Sequence, residues 1–428
     1  MDAISNNVKT LSLPAKLYWL SFAVCFAIVA GTFNSIFSYL ALVVSAISIV
    51  LLNEDDAICF MMLIMSFANI FKSSPESQSF FTYLVLFYVL WHFIKIRRIS
   101  KALLTAIACL GVYLIFQIYF SINILRTIKF VANLLFIYFA VSCSKPKNIR
   151  KMSVFYIIGV VVTSSLAALE IIPNLTNYVG TKEMHIDGEA VARFTGMYAD
   201  PNYYSINLII ALCLIVILSH KMLLGLLPSI GLSALLIFFA GMTTSKSAFL
   251  MLLFPLCFLL YSKLKKRRYL VVFVVALLGV IAINLLFSGK IEIFNNVLAR
   301  IDNASDVNSL TTGRSNIWIS YCEFFLHNPI STLFGGGLGA QLVNGRAAHN
   351  TYIDLVYYLG IMGTALLVVV FGVLTKIRKS TAKPNLLNYS IWICIGIMYF
   401  FLSELFYFDW AFHVTIAICI LKMDMSSD

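Results

Sequence analysis

The chain has 428 residues, 61% of them hydrophobic and only 12% charged, about half the charge fraction of a water-soluble globule, so no soluble core can hide its apolar surface. Its net charge of +12 does not mark a nucleic-acid partner, because the basic residues fall between hydrophobic segments and not on one soluble face. Eight of the nine cysteines lie in or at the edge of apolar segments, with only Cys322 in a long polar loop, which excludes a disulfide framework.

Near-continuous apolar runs such as Leu20 to Ala30, Leu40 to Leu52 and Tyr269 to Phe287 are, with their flanks, long enough to cross a hydrocarbon layer that takes roughly 20 helical residues. Lipid offers the backbone no hydrogen-bond partner, so these runs are expected to be helices. More apolar sequence follows the first run, and no small-residue cleavage motif follows Ala30; a retained helix is expected there rather than a signal peptide.

Four basic clusters fix the orientation. Lys95-Arg97-Arg98-Lys101, Lys145-Lys147-Arg150-Lys151, Lys263 to Arg268 and Lys376-Arg378-Lys379-Lys383 all belong on the cytoplasmic side under the positive-inside rule. Alternation from these anchors gives an all-α, polytopic membrane protein of about 14 helices with both termini inside. The spans start near residues 17, 35, 57, 79, 101, 125, 152, 203, 225, 246, 269, 351, 387 and 409; the pair around Ser403 to Trp410 reads equally as a re-entrant hairpin. Residues 1–428 form a single transmembrane domain with two long extracytoplasmic loops, at 173–202 and at 288–350. The second is expected to carry an amphipathic helix capped by Thr312, with Ile317, Tyr321, Phe324 and Phe325 on one face.

Outward-facing cations are exceptions to the orientation rule and each needs a reason. They include Lys182, Arg193, Lys246, Lys290, Arg300, Arg314 and Arg346. Arg193 lies a few residues before Asp200-Pro201-Asn202, where Asp200 can cap a helix and Pro201 can open it. A helix N-terminus offers free N–H groups and positive dipole charge, which suits a phosphate. Arg314 falls in the first turn of the loop helix, where a cation opposes the dipole unless an anion joins it; its guanidinium can grip phosphate with two parallel bonds. Lys246 sits at the outer end of a span, where snorkelling to headgroups is an adequate account. His349 follows the stretch Gly335-Gly336-Gly337-Leu338-Gly339 and precedes a span that starts at Asn350. Histidine alone among side chains ordinarily accepts a proton near neutral pH. Asp354, one turn further in, either orients that imidazole or complements the helix dipole.

No GxxxxGK[ST], GxGxxG after a strand, HExxH or Cys/His metal spacing occurs, so neither a nucleotide-driven pump nor a zinc site is expected. No cofactor and no metal is expected. Few ionisable residues fall near membrane segments, among them Lys129, Glu170 and Glu404, which is thin for an ion-coupled transporter.

Taken together the motifs resemble the O-antigen polymerase and ligase superfamily of polytopic membrane glycosyltransferases. They run Arg193-Phe194-x-Gly196, Asp200-Pro201-Asn202, Thr244-Ser245-Lys246-Ser247, Gly313-Arg314-Ser315-x-x-Trp318, Phe334-Gly335-x-Gly337, His349-Asn350-x-Tyr352 and Gly360-Ile361-x-Gly363, in order and within residues 190 to 365. Phe67-Ala68-Asn69-Ile70-Phe71-Lys72 is a weaker echo in the N-terminal half. The resemblance implies a metal-independent enzyme of the bacterial inner membrane whose donor is an undecaprenyl-pyrophosphate-linked oligosaccharide. It implies that Arg193 and Arg314 bind the pyrophosphate, that His349 deprotonates or orients the acceptor hydroxyl, and that Lys246, Asn202, Asn350 and Arg346 contact substrate. The family often has Arg where Lys246 stands. A polymerase of repeat units is the expected activity, working beside a flippase and a chain-length regulator. A ligase moving the chain to lipid A core is the alternative, and a lipid-linked oligosaccharide flippase is the alternative from another class.

Overall fold

The structure is a computed structural model that describes residues 15–74, 77–95, 101–117, 123–145, 148–172, 180–186, 189–198, 200–221, 223–265, 313–376, 386–403 and 409–423. The helices are α1 (Ala15–Gly31), α2 (Ser35–Leu51), α3 (Glu54–Met65), α4 (Phe80–Lys95), α5 (Lys101–Gln117), α6 (Ile124–Cys143), α7 (Ile149–Ala168), α8 (Pro201–His220), α9 (Leu226–Met242), α10 (Lys246–Lys265), α11 (Arg314–His327), α12 (Pro329–Phe334), α13 (Thr351–Lys376), α14 (Leu386–Tyr399) and α15 (Asp409–Leu421). Four of them, α6, α7, α8 and α13, are long and apolar enough to cross a membrane, and six shorter apolar helices accompany them. The chain is a multi-pass, helical membrane protein. The span expected near residue 269 and the first part of the second loop lie outside the described residues, as do Lys290, Arg300 and Glu404.

Asparagine and aspartate start the helices. Asn34, Asn53, Asn123 and Asp200 each accept a backbone N–H of the first turn, at 3.0, 2.9, 3.1 and 2.7 Å, which satisfies donors that the helix itself cannot pair. Asp200 and Pro201 thus open α8 as their order in the sequence predicts. α8 is buried along nearly its whole length. Its Asn207 Oδ1 accepts the Tyr156 hydroxyl at 2.9 Å and lies 3.0 Å from His413 Nε2, which ties α7, α8 and α15 around a polar point in an apolar core.

Three elements differ from the sequence expectation. The span near residue 57 is α3, of only 12 residues, about 18 Å at ~1.5 Å per residue against a hydrocarbon layer of roughly 30 Å. Beyond it the chain turns irregularly through residues 66–74 and 77–79, with Phe67, Ala68, Ile70 and Phe71 buried. Non-helical backbone at membrane depth needs partners in protein or a wet cavity; here Phe80 N–H donates to the Phe71 carbonyl at 2.8 Å, and the Ser79 hydroxyl donates to that of Ala68.

The loop at 173–202 contains an antiparallel hairpin, β1 (Gly180–Ile186) with β2 (Glu189–Gly196), in which Lys182 opposes Arg193. The hairpin is a local exception among described elements that are otherwise helical.

The loop helix expected after a Thr312 cap is α11, but its cap is Gly313 in the left-handed region, at φ +79°, with no side-chain cap bond. Its apolar face is as expected: Tyr321 is buried and Ile317, Phe324 and Phe325 are half-buried against the core.

A glycine crossing holds this loop on the bundle. α13 breaks at Gly360, where φ is +69° and ψ 174°. Gly336 and Gly337 N–H groups donate to the Tyr357 and Tyr358 carbonyls exposed by the break, at 2.8 and 3.2 Å. From α5, the Gln117 amide donates to the carbonyls of Tyr358 and Phe334 at 2.7 and 3.2 Å, and the Tyr113 hydroxyl donates to those of Leu359 and Phe334. A Cβ on Gly363 would lie 2.4 Å from the Tyr113 ring. The Gly335, Gly337, Gly360 and Gly363 positions thus have a packing cause.

Candidate active site

Arg193, on β2, is buried with 4% exposure. Its Nε donates to the Thr243 carbonyl at 3.0 Å and to the Thr244 hydroxyl at 3.1 Å. Those two acceptors sit in the turn between α9 and α10, where Thr244 holds φ at +47°, a conformation that costs a β-branched residue about 1–3 kcal/mol. The next residue, Ser245, donates its hydroxyl to Asn202 Oδ1 at 2.7 Å. The Arg193, Asp200-Pro201-Asn202 and Thr244-Ser245 motifs therefore meet in space. Lys246 opens α10, and its side chain lies outside the described residues.

Arg314, first residue of α11, donates from Nη1 to the Phe401 carbonyl at 2.8 Å. Burial lowers its pKa, while the charge of Asp200 opposes that shift. His349 lies in the same electrostatic neighbourhood. Burial first, and the Arg314 charge second, lower its pKa from 6.5, with Asp200 acting the other way. The imidazole is thus neutral at pH 7 and able to take up a proton.

The loop that presents His349 is pinned on both sides. The Trp318 indole N–H donates to the Ala348 carbonyl and the Tyr321 hydroxyl to that of Arg346, both at 2.9 Å. On the other side Asn350 Oδ1 accepts Tyr352 N–H at 3.0 Å, and the Thr351 hydroxyl donates to the Leu402 carbonyl. Between these ties His349 takes φ +49°, a left-handed conformation that histidine visits more readily than most residues. Asn350 is a buried helix cap, and the exposed Arg346 is not among the residues lining the cavity described next.

A cavity of about 570 Å³ opens at this end of the bundle. His349, Asp354, Tyr203 and Ser403 line it. So do Lys72, from the stretch after α3, and Arg126 and Lys129, from the start of α6; Arg126 Nη1 also reaches the Leu338 carbonyl at 3.5 Å. Arg193 and Arg314 do not line it; Arg314 adjoins through its charge on His349. Of these three cations, sequence reasoning picked out Lys72 only within a weak motif and Lys129 only as a charge near a span, and it missed Arg126. The signal was available: both α6 cations fall at the outer end of a span under the same alternation that singles out Arg193.

Residues 231–368 match the family described as O-antigen ligase. This is consistent with the polymerase and ligase superfamily that the motifs resemble. No curated protein and no solved structure matches the chain. The matched segment holds Arg314, His349, Asp354 and the glycine crossing, while Arg193 and the cations Lys72, Arg126 and Lys129 precede it in sequence. The cavity is thus closed by both halves of the chain.

Proposed function

We propose that the protein is a glycosyltransferase of the bacterial inner membrane that polymerises undecaprenyl-pyrophosphate-linked repeat units into O-antigen or capsular polysaccharide at the outer face. The observation that carries this reading is His349 in the lining of a cation-bearing cavity, its pKa lowered by burial and by the Arg314 charge, within the segment that matches the O-antigen ligase family. In the proposed step His349 takes the proton of an acceptor hydroxyl as that oxygen bonds to the anomeric carbon of the donor. The bond from that carbon to the pyrophosphate oxygen breaks, and its electron pair leaves on the pyrophosphate. Arg314 and Arg193 stabilise the departing charge, a role that fixed cations fill well in a site shielded from water. Asn202 and Lys246, close in the chain to the Arg193 turn, and Asn350 and Arg346, which flank His349, are the proposed substrate contacts. A flippase and a chain-length regulator are the proposed partners.

A ligase is the second reading, favoured by the description of the matched family. Replacing His349 or Arg193 by Ala in the native host and separating surface polysaccharide on a gel distinguishes the two. A single attached repeat without the ladder identifies a polymerase, and loss of all attached glycan identifies a ligase. An unchanged ladder in both variants would overturn the catalytic assignment and leave a flippase to be tested.

The Arg314 charge gives a pH prediction. Its proximity lowers the His349 pKa, so Arg314→Gln raises that pKa. A base works only when unprotonated, so the acidic limb of the residual rate against pH should move to higher pH than in the wild type. An unmoved limb would show that His349 is not the titrating base.

A further inference from the structure

Resting on the polymerase reading, we propose that Lys72, Arg126 and Lys129 form a second anion site, which holds the diphosphate of the lipid-linked acceptor while the donor diphosphate lies by Arg193 and Arg314. Three observations carry this. First, the cavity lining gathers three cations from two separate segments and, among the described residues, one carboxylate, Asp354. Secondly, Arg126 and Lys129 stand three residues apart on one helix, where like charges face each other and destabilise the helix; an anion between them and Lys72 converts that repulsion into attraction. They also sit in the first turns of α6, where the helix dipole adds positive potential. Thirdly, the cations are placed and not simply solvated: Lys129 Nζ donates to Gln78 Oε1 at 2.8 Å, and Gln78 itself lines the cavity.

His349 lines the same cavity as these cations. An acceptor anchored there by its diphosphate presents its sugar hydroxyl into the cavity toward the imidazole. Such a site is required when the acceptor is itself lipid-linked. The volume is in the range of pockets that enclose small ligands, roughly 300–1,000 Å³.

The test uses full-length protein in detergent with farnesyl pyrophosphate as probe and calorimetric titration as readout. Wild type should bind two equivalents. Arg126→Gln combined with Lys129→Gln should bind one, Arg314→Gln should bind one, and His349→Ala should keep both. One equivalent in the wild type, or two in the Arg126→Gln, Lys129→Gln variant, would overturn the second site. Competition at this site by glucuronate but not by farnesyl pyrophosphate would overturn the diphosphate assignment in favour of an acidic sugar. The outcome is separable from the catalytic reading, because the titration needs no turnover and the His349→Ala ladder does.

Discussion

His349→Asn is expected to lower the rate of glycan transfer by ~10²- to 10⁴-fold, the contribution of a positioned general base, with little change in folded yield. Asparagine is the informative replacement. It tolerates the left-handed backbone that His349 adopts at φ +49°, keeps a polar side chain and cannot take up the proton. Alanine removes the base too but adds a backbone cost, so agreement between the two variants assigns the loss to chemistry. Transfer measured in membranes with a defined lipid-linked substrate checks this; a rate in His349→Asn equal to that of the wild type would remove the base from the mechanism.

Gly360→Ala is expected to be the most damaging small substitution. Its φ of +69° with ψ 174° belongs to a region open essentially to glycine alone. A Cβ there would lie 2.4 Å from the Gly335 nitrogen and 2.5 Å from the Leu333 carbonyl oxygen, both of them backbone atoms that cannot rotate away. Conformational strain and overpacking together cost about 3 kcal/mol or more. The break carries the carbonyls that receive Gly336, Gly337, Tyr113 and Gln117, so the loop bearing His349 should loosen with it. Thermal unfolding in detergent should show a clear fall for Gly360→Ala, while Gly372→Ala, on the same helix with open space around its Cβ, should be unchanged or slightly more stable. Equal melting of the two variants would contradict the crossing as described.

The features legible in the sequence were those fixed by local chemistry. Asp200-Pro201 announced the start of α8, the apolar face of α11 followed from helical spacing, and the glycines at 335, 337, 360 and 363 stood out before their shared contact was known. The hairpin was missed although Asp187-Gly188, a strong turn dipeptide, lies between its two strands; flanking charges such as Lys182, Glu183 and Glu189 masked the apolar alternation of a strand. Gly313 rather than Thr312 caps α11 because the backbone there is left-handed, which a list of cap preferences cannot foresee. The cation cluster of the cavity was the hardest to read. Lys72 lies more than fifty residues before Arg126 and Lys129, and the three meet only because α3 stops short and the chain after it packs beside the start of α6.

That early stop has a consequence for how charge behaves in the cavity. Where a full-length span would end at the headgroups, the truncated helix leaves folded backbone in the Phe67 to Phe71 turn, with Phe67, Ala68, Ile70 and Phe71 buried. Lys72, Arg126 and Lys129 are each half-buried there, so the dielectric constant around them falls below that of water and each acts on an anion with more force than the same side chain would at an open membrane surface. A short helix in the N-terminal half thereby strengthens the electrostatic grip of a site whose proposed base belongs to the C-terminal half.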